Sequence, residues 1–307
     1  MKVVTLSAPA TVANIVCGFD ILGLALNEPC DKLVMRLIPE KTIRIINKDN
    51  YGLPVEPEKN VIGGALLAML KAINENIGFE IESTKIIKPG SGIGSSAASA
   101  AGAVVGANHL LNNRFTKEEL VAFAMCGEEI ASGVKHADNI APCIYGGVTL
   151  IRSNEPVDII PLHAPPLFVT VIHPQIEIKT SEARKMLKKE VPLKDAVIQW
   201  ANIAGLVAGF MKEDYELISR SLHDVIIEPV RSALIPAFAE LKKQSMAAGA
   251  LGGGISGSGP SVFMLSREEN TACRVEKAMH DVYKKIGINF NTYVTMINTK
   301  GVTVVEN

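Results

Sequence analysis

The chain is 307 residues long, 48% hydrophobic, and carries a formal net charge of −1. That length suits two domains, or one large one. Near-neutral charge argues against a nucleic-acid surface and against strong steering of charged partners. The five cysteines (Cys17, Cys30, Cys126, Cys143, Cys273) form no C-x-x-C pair, and the histidines show no ligand spacing, so reduced thiols and no structural zinc are expected.

From the N-terminus, Val3–Leu6 reads as a strand. Val3 to Leu26 is mostly apolar, yet Pro9, Asn14 and Asp20 interrupt it before it reaches a membrane-spanning length. The run before Pro9 is too short for a signal-peptide core. A cytoplasmic protein with no membrane partner is the expectation. Strands are predicted at 32–37, 42–46 and 84–87, and helices at 61–76, 97–111 and 117–131. The last helix opens on Thr116-Lys117-Glu118-Glu119, which has the form of a capping box. Pro156, Pro161, Pro165 and Pro166 make 154–166 read as a linker. Beyond it come a strand at 167–172, helices at 194–211, 215–222 and 233–247, a strand at 261–265, a helix at 268–286 and a strand at 293–297. Strands and helices alternate loosely in both halves, which predicts two α+β domains with a cleft between them.

The most informative segment is Lys88 to Ala107, KPGSGIGSSAASAAGAVVGA. Gly90, Gly92 and Gly94, followed by Ser95 and Ser96, lead from a predicted strand into a helix of small residues. A glycine-rich turn there leaves backbone N–H groups unpaired at the positive end of the helix dipole, and glycines let main chain approach an anion closely. A phosphate chain is the natural guest. No P-loop lysine follows. Gly92-Ile93-Gly94-Ser95-Ser96-Ala97 fits the loose dinucleotide pattern, but the acidic residues near the required distance, Glu118 and Glu119, belong to the capping box. A plain strand-to-helix connection is the remaining alternative. A second cluster, Gly252 to Pro260, contains a formal G-x-G-x-x-G at Gly252, Gly254 and Gly257, but it precedes a strand, the wrong order for a dinucleotide fingerprint. It reads either as a loop pressed against a ligand or the other domain, or as a tight turn.

Pro9-Ala10-Thr11-Val12-Ala13-Asn14 with Gly18-Phe19-Asp20, then Gly92 to Ala98, then Ile255 to Pro260, resemble the three ordered motifs of the GHMP small-molecule kinases. Lys135 to Pro142 and Ile227-Glu228-Pro229-Val230-Arg231 are similar to the homoserine kinase branch. Val12, Cys17 and Ile93 stand where that branch usually has serine, proline and leucine. The resemblance implies a two-domain α+β architecture: an N-terminal, ribosomal protein S5 domain 2-like ATP-binding domain over 1–160 and a C-terminal ferredoxin-like domain over 161–307. It implies ATP and Mg²⁺ as cofactors, L-homoserine as substrate and a homodimer.

Residue by residue, the resemblance places the ATP phosphates on Pro89, Gly90, Ser91, Gly92, Ile93, Gly94, Ser95, Ser96, Ala97, Ala98 and Ser99, with Asn60 near the base. Ser96 and Glu128 would meet Mg²⁺. Arg184 and Arg231 would grip the substrate carboxylate, as suits arginine's planar fork. Asp20 and Asn14 would hold the ammonium end, with His136 and Asn139 beside the substrate. Where other branches place an aspartate near the acceptor, this chain has Asn139. The expectation is therefore phosphoryl transfer without a dedicated base, Asn139 orienting the hydroxyl, with adjacent Asp138 as the alternative base. A kinase for another small alcohol, or a non-catalytic sensor on the same scaffold, are the competing readings.

Overall fold

A computed structural model of the chain describes residues 2–73, 75–178 and 180–305. The N-terminal half begins with two long antiparallel strands, β1 (Val3–Ala13) and β2 (Leu22–Ile38). The short strand β3 (Ile43–Asn47), helix α1 (Val61–Lys71) and β4 (Gly78–Thr84) follow, β3 pairing parallel with β4 and β4 antiparallel with β2. Helices α2 (Ser95–Leu110), α3 (Lys117–Ser132) and α4 (Ile140–Tyr145) precede the hairpin β5 (Val148–Asn154) and β6 (Val157–Leu162). Eleven of the 16 residues of α2 are alanine, glycine or serine, so most of its surface can be buried between the sheet and α1 and α3. A Cβ at Gly102 would sit 2.8 Å from Leu33 and 3.1 Å from Ala8 on the sheet.

The C-terminal half starts with β7 (Phe168–Pro174), α5 (Thr180–Lys185), α6 (Leu193–Lys212), α7 (Tyr215–Ser221) and α8 (Glu228–Arg231). It continues through α9 (Phe238–Ala247), β8 (Gly252–Ile255), β9 (Val262–Ser266), α10 (Glu269–Lys285) and β10 (Phe290–Met296). The sheet order β10-β7-β9-β8 is antiparallel throughout, with α9 and α10 packed against it, the split βαβ arrangement of ferredoxin-like domains. The last strand, β11 (Thr303–Val305), returns to pair with β1 and closes one edge of the seven-stranded first sheet. One apolar core runs from that sheet through Leu206 and Phe210 to Val169 and Phe263 of the second. Among the described residues no helix is long and apolar enough to cross a membrane.

Several sequence expectations change in the folded chain. The predicted strand at 84–87 lies earlier, as β4. Residues 86 and 87 are held instead by a side chain, since the Asp31 carboxylate accepts from the Ile86 and Ile87 N–H groups at 2.8 and 2.9 Å. The proline-rich stretch 154–166 is half strand. Pro161 is tolerated in β6 because that strand pairs only with β5 and its other edge needs no N–H donor. The helix expected over 233–247 is interrupted at Ile235, which precedes Pro236 and is extended (φ −111°, ψ 115°). The helix expected over 61–76 ends at Lys71; Asn74, within that span, lies outside the described residues. Gly252–Gly254 form strand β8 and not a loop: a Cβ at Gly254 would collide with the Glu228 carboxylate.

Candidate active site

A pocket of about 390 Å³ opens between the two halves, and motifs from across the chain converge on it. Its floor is the glycine turn. Gly90, Gly92 and Gly94 adopt φ of 74°, 80° and 70°, a region that disfavours side chains. Gly94 sits at the N-cap of α2 and lacks room for a Cβ against Thr11 Oγ1. Gly92 is crossed by the second glycine cluster, and its Cβ would lie 2.7 Å from the Gly259 carbonyl carbon. Two hydroxyls pin that crossing: Ser256 Oγ donates to Gly92 O at 2.7 Å, and Ser261 Oγ to Ser91 O at 2.6 Å.

Pro89, Gly90, Gly92, Gly94, Ser95, Ser96 and Ser99 line the pocket. Ser91, Ile93, Ala97 and Ala98 are buried in the protein and do not. Asn60 is also buried. Its side chain caps α1 by accepting from Ile62 N–H at 2.8 Å and donates to Pro54 O, while its neighbour Val61 and Leu53 form the adjacent wall.

Beside the start of α2, Ser96 Oγ donates to Glu128 Oε1 at 3.0 Å. Glu128 Oε2 is buried with no hydrogen-bond partner among the described residues. Burial raises the Glu128 carboxyl above the ordinary carboxylate range, against the pull of His136 and of the Ser96 bond. His136 Nδ1 lies 2.8 Å from Asp138 Oδ1, and Nε2 lies 3.9 Å from Glu128 Oε1. Burial disfavours the charged imidazole, but the Asp138 bond and the Asp138, Glu128 and Asp20 charges outweigh it and push its pKa up to about 9. Next along the chain, Asn139 Oδ1 accepts from the Thr11 hydroxyl at 2.7 Å, which leaves the amide NH₂ as its remaining polar group.

On the far wall, Arg184 and Asp20 form a fork-to-fork pair with both N–O distances at 2.9 Å. Arg231, on α8, donates to Gly257 O at 2.9 Å, and Asn14 Nδ2 donates to the same carbonyl at 3.0 Å. Asn14 Oδ1 in turn accepts from Asp20 N–H at 3.0 Å. The Phe19 ring lies between the two arginines, 5.4 Å from the Arg184 and 5.0 Å from the Arg231 guanidinium carbon, within cation–π range. Burial, with Arg184 adding, pulls the Arg231 guanidinium down from its ordinary range. Each member of the Arg184–Asp20 pair is a third exposed at the side chain. A zwitterion could divide this pair, giving its carboxylate to arginine and its ammonium to aspartate.

Sequence reasoning missed the brace beneath the turn. Lys85 is buried, and its ammonium contacts the Asp31 carboxylate, Ser95 O (2.6 Å) and Ser99 Oγ (2.9 Å). Burial lowers its pKa, with Asp31 pulling the other way. Asp31 interrupts the apolar alternation of β2, the one signal that could have drawn attention to it; nothing in spacing links it to Lys85. The sequence offers Thr11 and Ser256 only as members of motifs and Ser261 only as the start of a strand, because their partners lie far away in sequence.

The comparisons with known proteins agree across the chain. Residues 60–147 match the GHMP kinases N terminal domain, and residues 206–285 match the GHMP kinases C terminal domain. A homoserine kinase of Chloroherpeton thalassium is 46% identical over 299 residues, spanning 93% of this chain and 94% of its own length. One from Methanocella arvoryzae is 40% identical over 308 residues, spanning 100% and 98%. The crystal structure of a homoserine kinase from Cytophaga hutchinsonii superposes with a TM-score of 0.95 at 45% identity, covering 99% of this chain and 98% of that one. The mevalonate kinase of L. major, at 15% identity and a TM-score of 0.70, shares the fold. With all the motif segments gathered around one pocket and relatives matched end to end, the chain belongs to the GHMP kinases and, within them, to the homoserine kinases.

Proposed function

We propose that this protein transfers the γ-phosphoryl group of ATP to the side-chain hydroxyl of L-homoserine, giving O-phospho-L-homoserine on the route to threonine. The observation that carries this is the joint placement, in one pocket, of the glycine turn before α2 and the Asp20–Arg184–Arg231 cluster. The first suits a phosphate chain; the second suits a small zwitterion. Phosphoryl transfer asks a protein chiefly for positioning and charge stabilisation. The N–H groups at the start of α2 would hold the phosphates. Arg184 and Arg231 would take the carboxylate, while Asp20 and Asn14 take the ammonium, with His136 alongside.

Ser96 and Glu128 would hold Mg²⁺, and the orphaned Oε2 of Glu128 fits a hard cation that keeps waters and phosphate oxygens as its other ligands. When bound, that ion would neutralise charge on the phosphates. Asn139 would donate from its NH₂ to the acceptor hydroxyl or a phosphate oxygen, because its own oxygen is engaged by Thr11. Asp138 spends one carboxylate oxygen on His136, which argues for transfer without a dedicated base. The enzyme is expected to act in the cytoplasm as a homodimer.

ADP release with Mg-ATP should depend on homoserine and be absent with serine, mevalonate, galactose or no acceptor. Release with another acceptor would discard the roles given to Asp20, Arg184 and Arg231. Silence with all of them, despite ATP binding, would favour a sensor. Asp138→Asn should lose only a few-fold in turnover; a loss of several orders of magnitude would make Asp138 the base.

A further inference from the structure

Helix α6 buries one polar side chain, Gln199; the other buried residues of the helix, Leu206, Gly209 and Phe210, are apolar. Both ends of its amide are engaged. Nε2 donates to the Cys17 carbonyl at 2.7 Å, and Oε1 accepts from the Val225 N–H at 3.1 Å. One of these backbone groups belongs to the stretch that carries Asn14 and Asp20, the other to the stretch that carries Arg231.

The first stretch, between β1 and β2, has Asn14, Ile15 and Val16 at φ of 74°, 40° and 65°, and Asp20 at 62°. Successive left-handed residues, two of them β-branched, are costly and persist only where surrounding contacts impose them. The second stretch begins at Asp224, whose carboxylate accepts from Ile226, Ile227 and Glu228 N–H at 2.8, 3.0 and 2.9 Å, and it ends at Arg231. Asn14 and Arg231 then meet at the Gly257 carbonyl.

We propose that Gln199 is a positioning residue for the acceptor: it clamps the Asn14–Asp20 loop to the Asp224–Arg231 segment and so sets the spacing between the groups that take the ammonium and the carboxylate. This rests on the acceptor reading given above. Gln199 is not among the residues lining the pocket, and its two bonds go to the segments that carry Asn14, Asp20 and Arg231, so its influence should fall on homoserine more than on the nucleotide. A shift of about 1 Å in such groups can cost on the order of 10²-fold.

The test compares the parent enzyme with Gln199→Met and Gln199→Glu, by ADP release at varied homoserine and varied ATP. In Gln199→Met the homoserine KM should rise about tenfold or more while the ATP KM stays within about twofold. In Gln199→Glu an ionised carboxylate can accept from Val225 but cannot donate to Cys17, whereas a protonated carboxyl can do both. Its homoserine KM should therefore recover toward the parent value as pH is lowered from about 8 to about 6, since burial raises a carboxyl's pKa. If Gln199→Met fails to fold, the pH series in Gln199→Glu decides the matter. Homoserine KM within about twofold of the parent in the variants, with only the unfolding temperature lowered, would overturn the proposal. So would homoserine and ATP KM rising together, or no pH recovery. A parent enzyme silent with homoserine would instead sink the acceptor reading, and this inference with it.

Discussion

Replacing Lys85 with methionine should both destabilise the protein and weaken ATP binding. The Lys85 ammonium is buried, with side-chain exposure of 2% against 0% for Asp31. Its loss strands the Asp31 carboxylate, which keeps the Ile86 and Ile87 N–H groups as its donors among the described residues. Removing one partner of a buried pair typically costs ~3–5 kcal/mol, and the two surviving donors place this case at the lower end. A loss of about 3 kcal/mol is a large share of the ~5–15 kcal/mol that folded domains possess. At ~2–4 °C per kcal/mol it lowers the unfolding temperature by roughly 6–12 °C. The same ammonium holds Ser95 O and Ser99 Oγ in the first turn of α2, so the ATP KM should rise in step. Asp31→Asn keeps an acceptor for Ile86 and Ile87 while neutralising the charge. The double variant Asp31→Asn/Lys85→Met should therefore be about 2 kcal/mol more stable than the sum of the two single losses predicts. Thermal unfolding of all four proteins completes the cycle. Losses that add within about 0.5 kcal/mol would refute the view of Lys85 and Asp31 as one coupled unit.

Gly92→Ala should lower turnover about 10²-fold, because the new methyl drives the Gly259 backbone off the turn by roughly 1 Å, on top of ~1–2 kcal/mol for a left-handed alanine. Unchanged steady-state rates would show that this crossing does not matter to the reaction. Stability should also depend on His136. Its pKa rises from 6.5 unfolded to about 9 folded, so its charge contributes fully below about 6.5, and the contribution is lost as pH climbs through about 9. Thermal unfolding in that window should fall more steeply for the parent than for His136→Gln, and parallel curves would contradict the assignment.

The glycine turn was legible in the sequence because its chemistry is local: three glycines and two serines at a helix start expose N–H groups whatever surrounds them. The small-residue face of α2 was legible for the same reason. Elsewhere, local pattern misled. Residues 86 and 87 look like strand but are tied to a carboxylate 55 and 56 residues away, and Gly252–Gly254 look like loop but pair as an edge strand. The proposed acceptor residues Asp20, Arg184 and Arg231 carried no signal of their own and entered only through their motifs.

By itself the sequence determined the fold class, the place of the phosphate turn and the family, since each depends on residues close together or on motifs in a fixed order. Only the tertiary structure decided which of those residues face the pocket. Asn60 turned out to cap a helix, Asp20 to pair with Arg184, Asn139 to spend its oxygen on Thr11, and Lys85 to lie under the turn. Each such choice is a hydrogen bond or ion pair between distant segments, and a buried polar group takes whichever partner the packing of the core brings within reach.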